Sequence, residues 1–208
     1  MALITPPSWL QSGSYPAESD RLNAQALYAT TGIIGASSLE VIENSPAGMS
    51  VKANSGWAAI VGTTQPDMGV YSTYNDAVAT LTVTTADPTN PRIDRVVVTV
   101  RDSYYTGVDD DVIFQVIVGT PAGSPSAPAT PANSISLATV LVGAAVTQIN
   151  TVDITDTRVV VTSNLSLGDP LPSQTGNTGK YLSTDGSTAS WATITTDPTP
   201  TVFMLMGA

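Results

Sequence analysis

The pattern of apolar and polar positions divides the chain into one helical stretch followed by many β-type runs. Leu22, Ala26 and Ala29 recur at the i, i+4 and i+7 spacing of one helix face. Pro16 and the acids that follow it are typical of a helix start, and Gly32 is a stop signal. The sequence therefore predicts one N-terminal helix between these two residues.

From about Leu39 the apolar period changes to two, which is the period of a β-strand. The strongest runs, Ile93–Arg101 and Val112–Val118, are apolar on both faces, as is typical of the centre of a sandwich. The segment 102–110 between them has the composition of a hairpin loop. Shorter or weaker runs occur at 39–43, 49–52, 57–61, 78–83, 136–142 and 158–162. Many short strands with frequent turn signals predict a mainly β fold, an antiparallel β-sandwich or barrel-like domain.

The C-terminal part predicts a separate hairpin arm. An Asp185-Gly186 turn lies between two short β-type segments, within Gly179–Trp191. A two-stranded hairpin is marginal alone in water, so we expect it to pack on its own domain, on sister chains or on another protein. The predicted parts are a docking arm and helix (1–35), a β-sandwich domain (36–163), and a linker, hairpin and apolar tail (164–208).

Several apolar side chains in the arms are candidates for docking to partners. These side chains belong to the N-terminal stretch, the helix face, the hairpin and the apolar tail: Trp9, Tyr15, Leu22, Ala26, Trp191, Phe203 and Leu205.

Composition narrows the classes of partner. Charged residues make up 12% of the chain, about half the usual share, so either other subunits cover much of the surface or Thr and Ser keep it soluble. The net charge is −10, with 7 Lys and Arg against 17 Asp and Glu, which argues against binding nucleic acid or an anionic membrane surface. Apolar runs long enough to span a membrane are absent from the sequence, so we expect no membrane insertion.

The residue inventory argues against most catalytic chemistry. The chain contains no Cys and no His, which removes thiolate nucleophiles, disulfides and imidazole acid–base groups, as well as the usual zinc ligands. It also lacks a nucleophile elbow, a Walker loop and a dinucleotide-binding glycine motif. We therefore predict a non-enzymatic protein with no catalytic residue, no cofactor and no metal site.

Paired acids keep two other chemistries open. Asp102 and Asp109–Asp111 share one loop, and Asp153 lies near Asp156. The loop acids have three interpretations: a solvated hairpin tip, a calcium site, or the acid pair of a glycosidase. Aromatic side chains that could form a sugar-binding platform, or instead pack in the core or an interface, are Trp57, Tyr71, Tyr74, Tyr104 and Tyr105.

Charged side chains on the strongest strand need partners. Those side chains are Arg92, Asp94, Arg95 and Arg101. Asp156 and Arg158 are the candidate partners later in the chain. Such a set could form an ion-pair network between subunits or protect an edge strand from pairing.

Two stretches of the chain carry recognisable sequence patterns. Asn90-Pro91-Arg92-Ile93-Asp94 stands before a valine-rich strand, Gly119-Thr120-Pro121-Ala122 follows the next strand, and a Pro/Ala connector continues through 124–134. With 15–22 and 48–51, this pattern resembles the minor tail and baseplate proteins of long-tailed bacteriophages that infect actinobacteria, over residues 14–160. The hairpin around Asp185-Gly186 is similar to a short element of phage tail fibres.

The resemblance implies a virion protein of the distal tail, made in the host cytoplasm. It implies a homotrimer that docks to other tail-tip proteins, sometimes as a platform for host attachment, and it supplies no catalytic residues. Members of the family often continue into a large C-terminal receptor-binding region, whereas this sequence ends at Ala208. We therefore expect an assembly role first, with a receptor-binding module for host surface glycan or protein as the alternative.

Overall fold

The computed structural model describes residues 16–107, 109–162 and 172–193, which group into two compact units, 16–162 and 172–193. The first unit begins with helix α1 (Ala17–Leu27) and contains a helical turn, α2 (Ser103–Thr106). Its strands are β1 (Gly32–Ile34), β2 (Val41–Glu43), β3 (Ser50–Ala53), β4 (Gly56–Val61), β5 (Val70–Asn75), β6 (Ala79–Thr82), β7 (Arg92–Arg101), β8 (Asp111–Ile117), β9 (Ser134–Val142) and β10 (Ile154–Asp156). The second unit contains β11 (Lys180–Thr184) and β12 (Ala189–Thr193).

One layer of the first unit is a bent antiparallel ribbon. Strand β3 continues into β4, and β5 continues into β6, so that β3–β6 and β4–β5 form successive parts of one ladder. Two residues separate β3 from β4, whereas three separate β5 from β6. The extra residue on the β5–β6 side bends the ribbon here, as a β-bulge does. The Asn75 side-chain amide donates to the Asn54 carbonyl (3.1 Å) across this interruption. Strand β1 adds to β4, and β2 adds to β3.

The facing layer is a four-stranded antiparallel sheet in the order β10-β9-β7-β8. The apolar core lies between the layers and includes the alternate valines of β7, which are Val96, Val98 and Val100. A mainly β, antiparallel fold with one N-terminal helix was predicted, and this prediction is confirmed. The sheets do not close into a barrel.

The first two charges of β7 lie on the same face as its buried valines. Arg92 and Asp94 are almost fully buried and form an ion pair, with Nε and Oδ1 2.9 Å apart. The Arg92 guanidinium also donates to the carbonyl oxygens of Thr84 (2.6 Å) and Thr85 (2.8 Å). Burying two charges is costly unless their remaining donors and acceptors are satisfied, and here the backbone satisfies them.

The two separated parts of the Asn-Pro-Arg-Ile-Asp and Gly-Thr-Pro-Ala pattern meet in space. The Gly119 N–H donates to Asp94 Oδ1 (2.8 Å), and the Ala122 N–H donates to the Pro91 carbonyl (3.0 Å). A Cβ at position 119 would lie 2.1 Å from the Ile93 carbonyl oxygen, so only glycine fits there. The pattern therefore specifies a buried structural junction.

Other charged side chains make different pairs from those expected. Arg158 pairs with Asp156 (2.7 Å) and donates to the Ser38 carbonyl (2.7 Å), so neither residue meets the charges of β7. Arg95 instead donates to the Pro128 carbonyl (2.7 Å) and so holds the Pro-rich connector against the sheet. Side chains two residues apart on extended backbone point to the same side, so Asp156 and Arg158 pair with each other, as Arg92 and Asp94 do.

Some strand predictions are wrong. Strand β8 was expected at the centre of the sandwich, but among the described strands it pairs with β7 alone and forms an edge. Residues 158–162 were expected to form a strand, but they make a single parallel bridge between Val160 and Ile33. Their β-branched residues favour extended backbone, and β1 is too short to pair with more of them.

The second unit is a two-stranded antiparallel hairpin. Lys180 pairs with Thr193 and Thr184 pairs with Ala189, on either side of the predicted Asp-Gly turn. The Asp185 carboxylate accepts the N–H groups of Ser187 (2.8 Å) and Thr188 (2.7 Å), which fixes the turn and lowers the pKa of Asp185. None of the described residues 172–193 is buried.

We predict that Asp94→Asn lowers the free energy of unfolding by about 3 kcal/mol or more, because it leaves the buried Arg92 guanidinium without its counter-charge. Urea denaturation followed by circular dichroism measures this change. The matched control is Asp111→Asn, which weakens an exposed pair with Arg101 and should barely move the unfolding midpoint. Equal destabilisation by the two substitutions would contradict the role assigned to the buried pair.

Candidate binding site at one end of the sandwich

Helix α1 is anchored to the start of β5 through Arg21. The Arg21 Nε donates to the Met68 carbonyl (2.7 Å). The next residue, Gly69, has a φ of +66°, and a Cβ there would lie 2.8 Å from the Arg21 carbonyl carbon. Both the backbone conformation and the close approach of the helix therefore require glycine at this position.

The Arg21 guanidinium lies between two tyrosine rings. Its central carbon is 5.0 Å from the Tyr71 ring centroid and 5.5 Å from that of Tyr105, which are cation–π distances. Its Nη2 donates to the Tyr105 hydroxyl (3.0 Å), and its Nη1 lies 3.8 Å from Asp102 Oδ2. One side chain thus connects the helix to β5 and to the β7–β8 loop.

Tyr71 and Asp102 join the two layers of the sandwich. The Tyr71 hydroxyl on β5 donates to Asp102 Oδ2 at the end of β7 (2.7 Å). Asp102 also accepts the Tyr104 N–H (3.1 Å), which caps α2. Burial raises the pKa of Tyr71 well above its usual range, and donation to the Asp102 carboxylate raises it further.

The remaining loop acids lie at an exposed hairpin tip, in line with the first of their three interpretations. Arg101 donates to Asp111 (2.6 Å) and Asp109 (2.8 Å), and the Ser103 N–H and hydroxyl both donate to Asp110 (2.8 and 2.9 Å). These hydrogen bonds hold the pKa values of Asp110 and Asp111 below the usual range. Across the described residues, no group of three or more acidic side chains is arranged to hold a metal ion.

A cavity of about 540 Å³ opens beside this cluster. Tyr104 lies at its surface with 83% of its area exposed, and its ring packs edge-on against Tyr105, with centroids 4.9 Å apart. Within the described part of the chain the Tyr104 hydroxyl has no hydrogen-bond partner. The side chains that line the cavity are carboxylate, guanidinium, phenol and aliphatic groups, from Pro16, Ala17, Glu18, Arg21, Tyr71, Val100, Arg101, Asp102, Tyr104, Tyr105, Asp110, Asp111 and Val112. Such a lining can stack on a ligand ring and can accept hydrogen bonds.

The sequence-based docking candidates lie elsewhere. Leu22 is half-buried and Ala26 is exposed, one turn apart on α1. Trp191 is half-buried in the hairpin, where its Nε1 donates to the Pro172 carbonyl (3.0 Å). The other four, Trp9, Tyr15, Phe203 and Leu205, lie outside the described residues.

The aromatic candidates separate into two groups. Tyr71, Tyr104 and Tyr105 meet at the cavity, whereas Trp57 and Tyr74 stack on each other across β4 and β5, with centroids 4.4 Å apart. Sequence reasoning missed Arg21. The nearest signal was a cation within a helix that is otherwise acidic in its first turn, and that pattern alone did not indicate a site.

Comparison with known proteins gave no match to a protein-family model, to a curated protein or to a solved structure. Among the helices that the structure describes, none is both long and apolar enough to cross a membrane.

We predict that Tyr71→Phe lowers the free energy of unfolding by about 1.5 kcal/mol at neutral pH, because it removes a hydrogen bond to a carboxylate. The difference from the wild-type chain should shrink above a pH of about 10, the usual tyrosine pKa. Above this pH the unfolded wild-type chain releases the Tyr71 proton while the folded chain retains it, so the free energy of unfolding of the wild type falls. The Tyr71→Phe chain has no such proton, so its free energy of unfolding does not fall for this reason.

Urea titrations at pH values from neutral to alkaline measure this dependence. Tyr181→Phe, which alters an exposed tyrosine of the hairpin, is the control and should leave stability unchanged at every pH. A constant difference between wild type and Tyr71→Phe across this range would contradict the raised pKa of Tyr71.

Proposed function

We propose that this chain is a structural component of a bacteriophage tail tip or baseplate, without enzymatic activity. It assembles as a homo-oligomer, with three copies as the expected number, and docks to neighbouring tail proteins. The tail identity rests on the sequence resemblance over residues 14–160. The assembly role rests on contacts and burial in the described residues.

The hairpin of the second unit carries the assembly proposal. Its strands place Tyr181 and Leu182 on the surface, 51% and 42% exposed, and no described residue of the unit is buried. An isolated two-stranded sheet gains too little from its own contacts to be stable in water. Packing against other copies or other tail proteins supplies the apolar burial that the hairpin lacks.

The edge strand β8 adds support. From Val112 to Ile117 it carries no charged residue, and its outer edge makes no ladder with another described strand. Unprotected apolar edges of this kind pair readily with other chains. An assembly that covers this edge would also account for the low charged fraction of the sequence.

The motif behind the resemblance fits a structural role. Arg92, Asp94 and Gly119 form a buried junction of the fold, so the resemblance carries information about the scaffold rather than about a catalytic centre. A receptor-binding module remains the second candidate, and the tyrosine-lined cavity is the observation that favours it.

We predict that the full chain behaves in light scattering coupled to gel filtration as a particle of three times the chain mass of 21.4 kDa. A hairpin variant carrying Tyr181→Ser and Leu182→Ser should raise the concentration at which the particle dissociates by about tenfold or more. The control is Val152→Ser, which changes an apolar residue of the first unit that is 90% exposed.

A monomer at all concentrations, or equal weakening by the hairpin and control variants, would contradict the assembly role. Gold-labelled antibody against the chain provides the separate test of location. Label at the tail tip of virions is the expected result, and label confined to the capsid would overturn the tail identity.

A further inference from the structure

We infer that the cavity beside α1 and the β7–β8 loop binds a neutral saccharide, with the Tyr104 ring as its stacking surface. This site would give the receptor-binding alternative a ligand class, and it does not depend on the assembly role. The reasons are the position of one aromatic ring, the free hydrogen-bonding groups and the charge of the lining.

Tyr104 is exposed and yet held in place. Its N–H is bound by Asp102, and its ring packs edge-on against Tyr105, whose hydroxyl is bound by Arg21. The Tyr104 ring is large, apolar and 83% exposed. A ligand that covers it removes apolar surface from water, which favours binding. Because it is already positioned, little conformational entropy is lost on binding, and the face of a sugar ring is a suitable apolar surface for it.

The hydrogen-bonding groups that remain suit hydroxyl groups. The Tyr104 hydroxyl has no partner among the described residues. The Tyr105 hydroxyl accepts from Arg21, and its own proton has only a 3.5 Å contact with the Asp67 carbonyl. Asp110 is an ionised acceptor with lone pairs beyond those that Ser103 uses. Sugar hydroxyls both donate and accept, so they can satisfy phenols and carboxylates together.

The charge of the cavity disfavours an anionic ligand. Glu18, Asp102, Asp110 and Asp111 line it, and the two cations of the lining, Arg21 and Arg101, already face carboxylates. A phosphate or a uronic acid would meet repulsion there. The volume of about 540 Å³ lies within the range of small-ligand pockets, enough for one or two sugar rings.

The same carboxylates argue for binding without cleavage. Glycoside hydrolysis needs a carboxylic acid that stays protonated at neutral pH, with a raised pKa. Hydrogen bonds lower the pKa values of Asp110 and Asp111 instead. Neither of these two carboxylates is therefore suited to act as the general acid of a hydrolysis.

Saturation-transfer NMR on the full chain tests the site. The probes are neutral disaccharides built from glucose, galactose, mannose, N-acetylglucosamine and arabinose, with glucuronic acid as the anionic comparison. We expect transfer to at least one neutral disaccharide, with a dissociation constant of about 1 mM or tighter. Tyr104→Ala should weaken this binding about tenfold or more, and Asp110→Asn should weaken it less.

Tyr74→Ala is the matched control, since it removes a half-exposed tyrosine of β5 that does not line the cavity. Because Tyr104 is mostly exposed, its alanine variant should keep the wild-type circular dichroism spectrum. Three results would overturn the site: no transfer to any neutral disaccharide, transfer unchanged in Tyr104→Ala, or equal binding of glucuronic acid. Each is independent of particle mass, so failure here is distinguishable from failure of the assembly role.

Discussion

The first unit depends on one buried ion pair, between Arg92 and Asp94 at the start of β7. Both side chains lie on the core face of the strand, where their neighbours are valines. Such a pair is stable only when backbone groups complete its hydrogen bonding. The carbonyl oxygens of residues 84–85 and the Gly119 N–H do so, and the loop after β6, the strand β7 and the connector after β8 are thereby fixed to one another.

The other end of β7 carries the candidate site. Asp102 follows the last residue of the strand and meets the Tyr71 hydroxyl on the opposite layer. Between the ion pair and Asp102 the core face of β7 is filled by fully or nearly fully buried valines, which leave little freedom to slide. The pairing of β7 with β8 and β9 therefore fixes where Asp102 lies, and the α2 cap then places the backbone of Tyr104.

The sequence predicts those parts of this arrangement that rest on local pattern. Period two identified β7 and β8, and Pro16 with the acids after it identified α1. Strand β5 was missed because apolar and polar residues do not alternate clearly in Val70–Asn75. This segment is a strand because it pairs with β4. Arg21 could not have been predicted, since its partners Met68 and Tyr105 are 47 and 84 residues away.

The arginines make the surface of this acidic chain more acidic than its composition indicates, because other groups of the chain hold them. Four of the five donate to backbone carbonyl oxygens: Arg21 to Met68, Arg92 to Thr84 and Thr85, Arg95 to Pro128, and Arg158 to Ser38. The fifth, Arg101, is held by two carboxylates of its own loop. Guanidinium groups used in this way hold connections together and leave little positive charge for a partner to meet. We therefore expect a partner of this surface to be neutral or basic. A neutral saccharide meets this charge requirement and a phosphate does not.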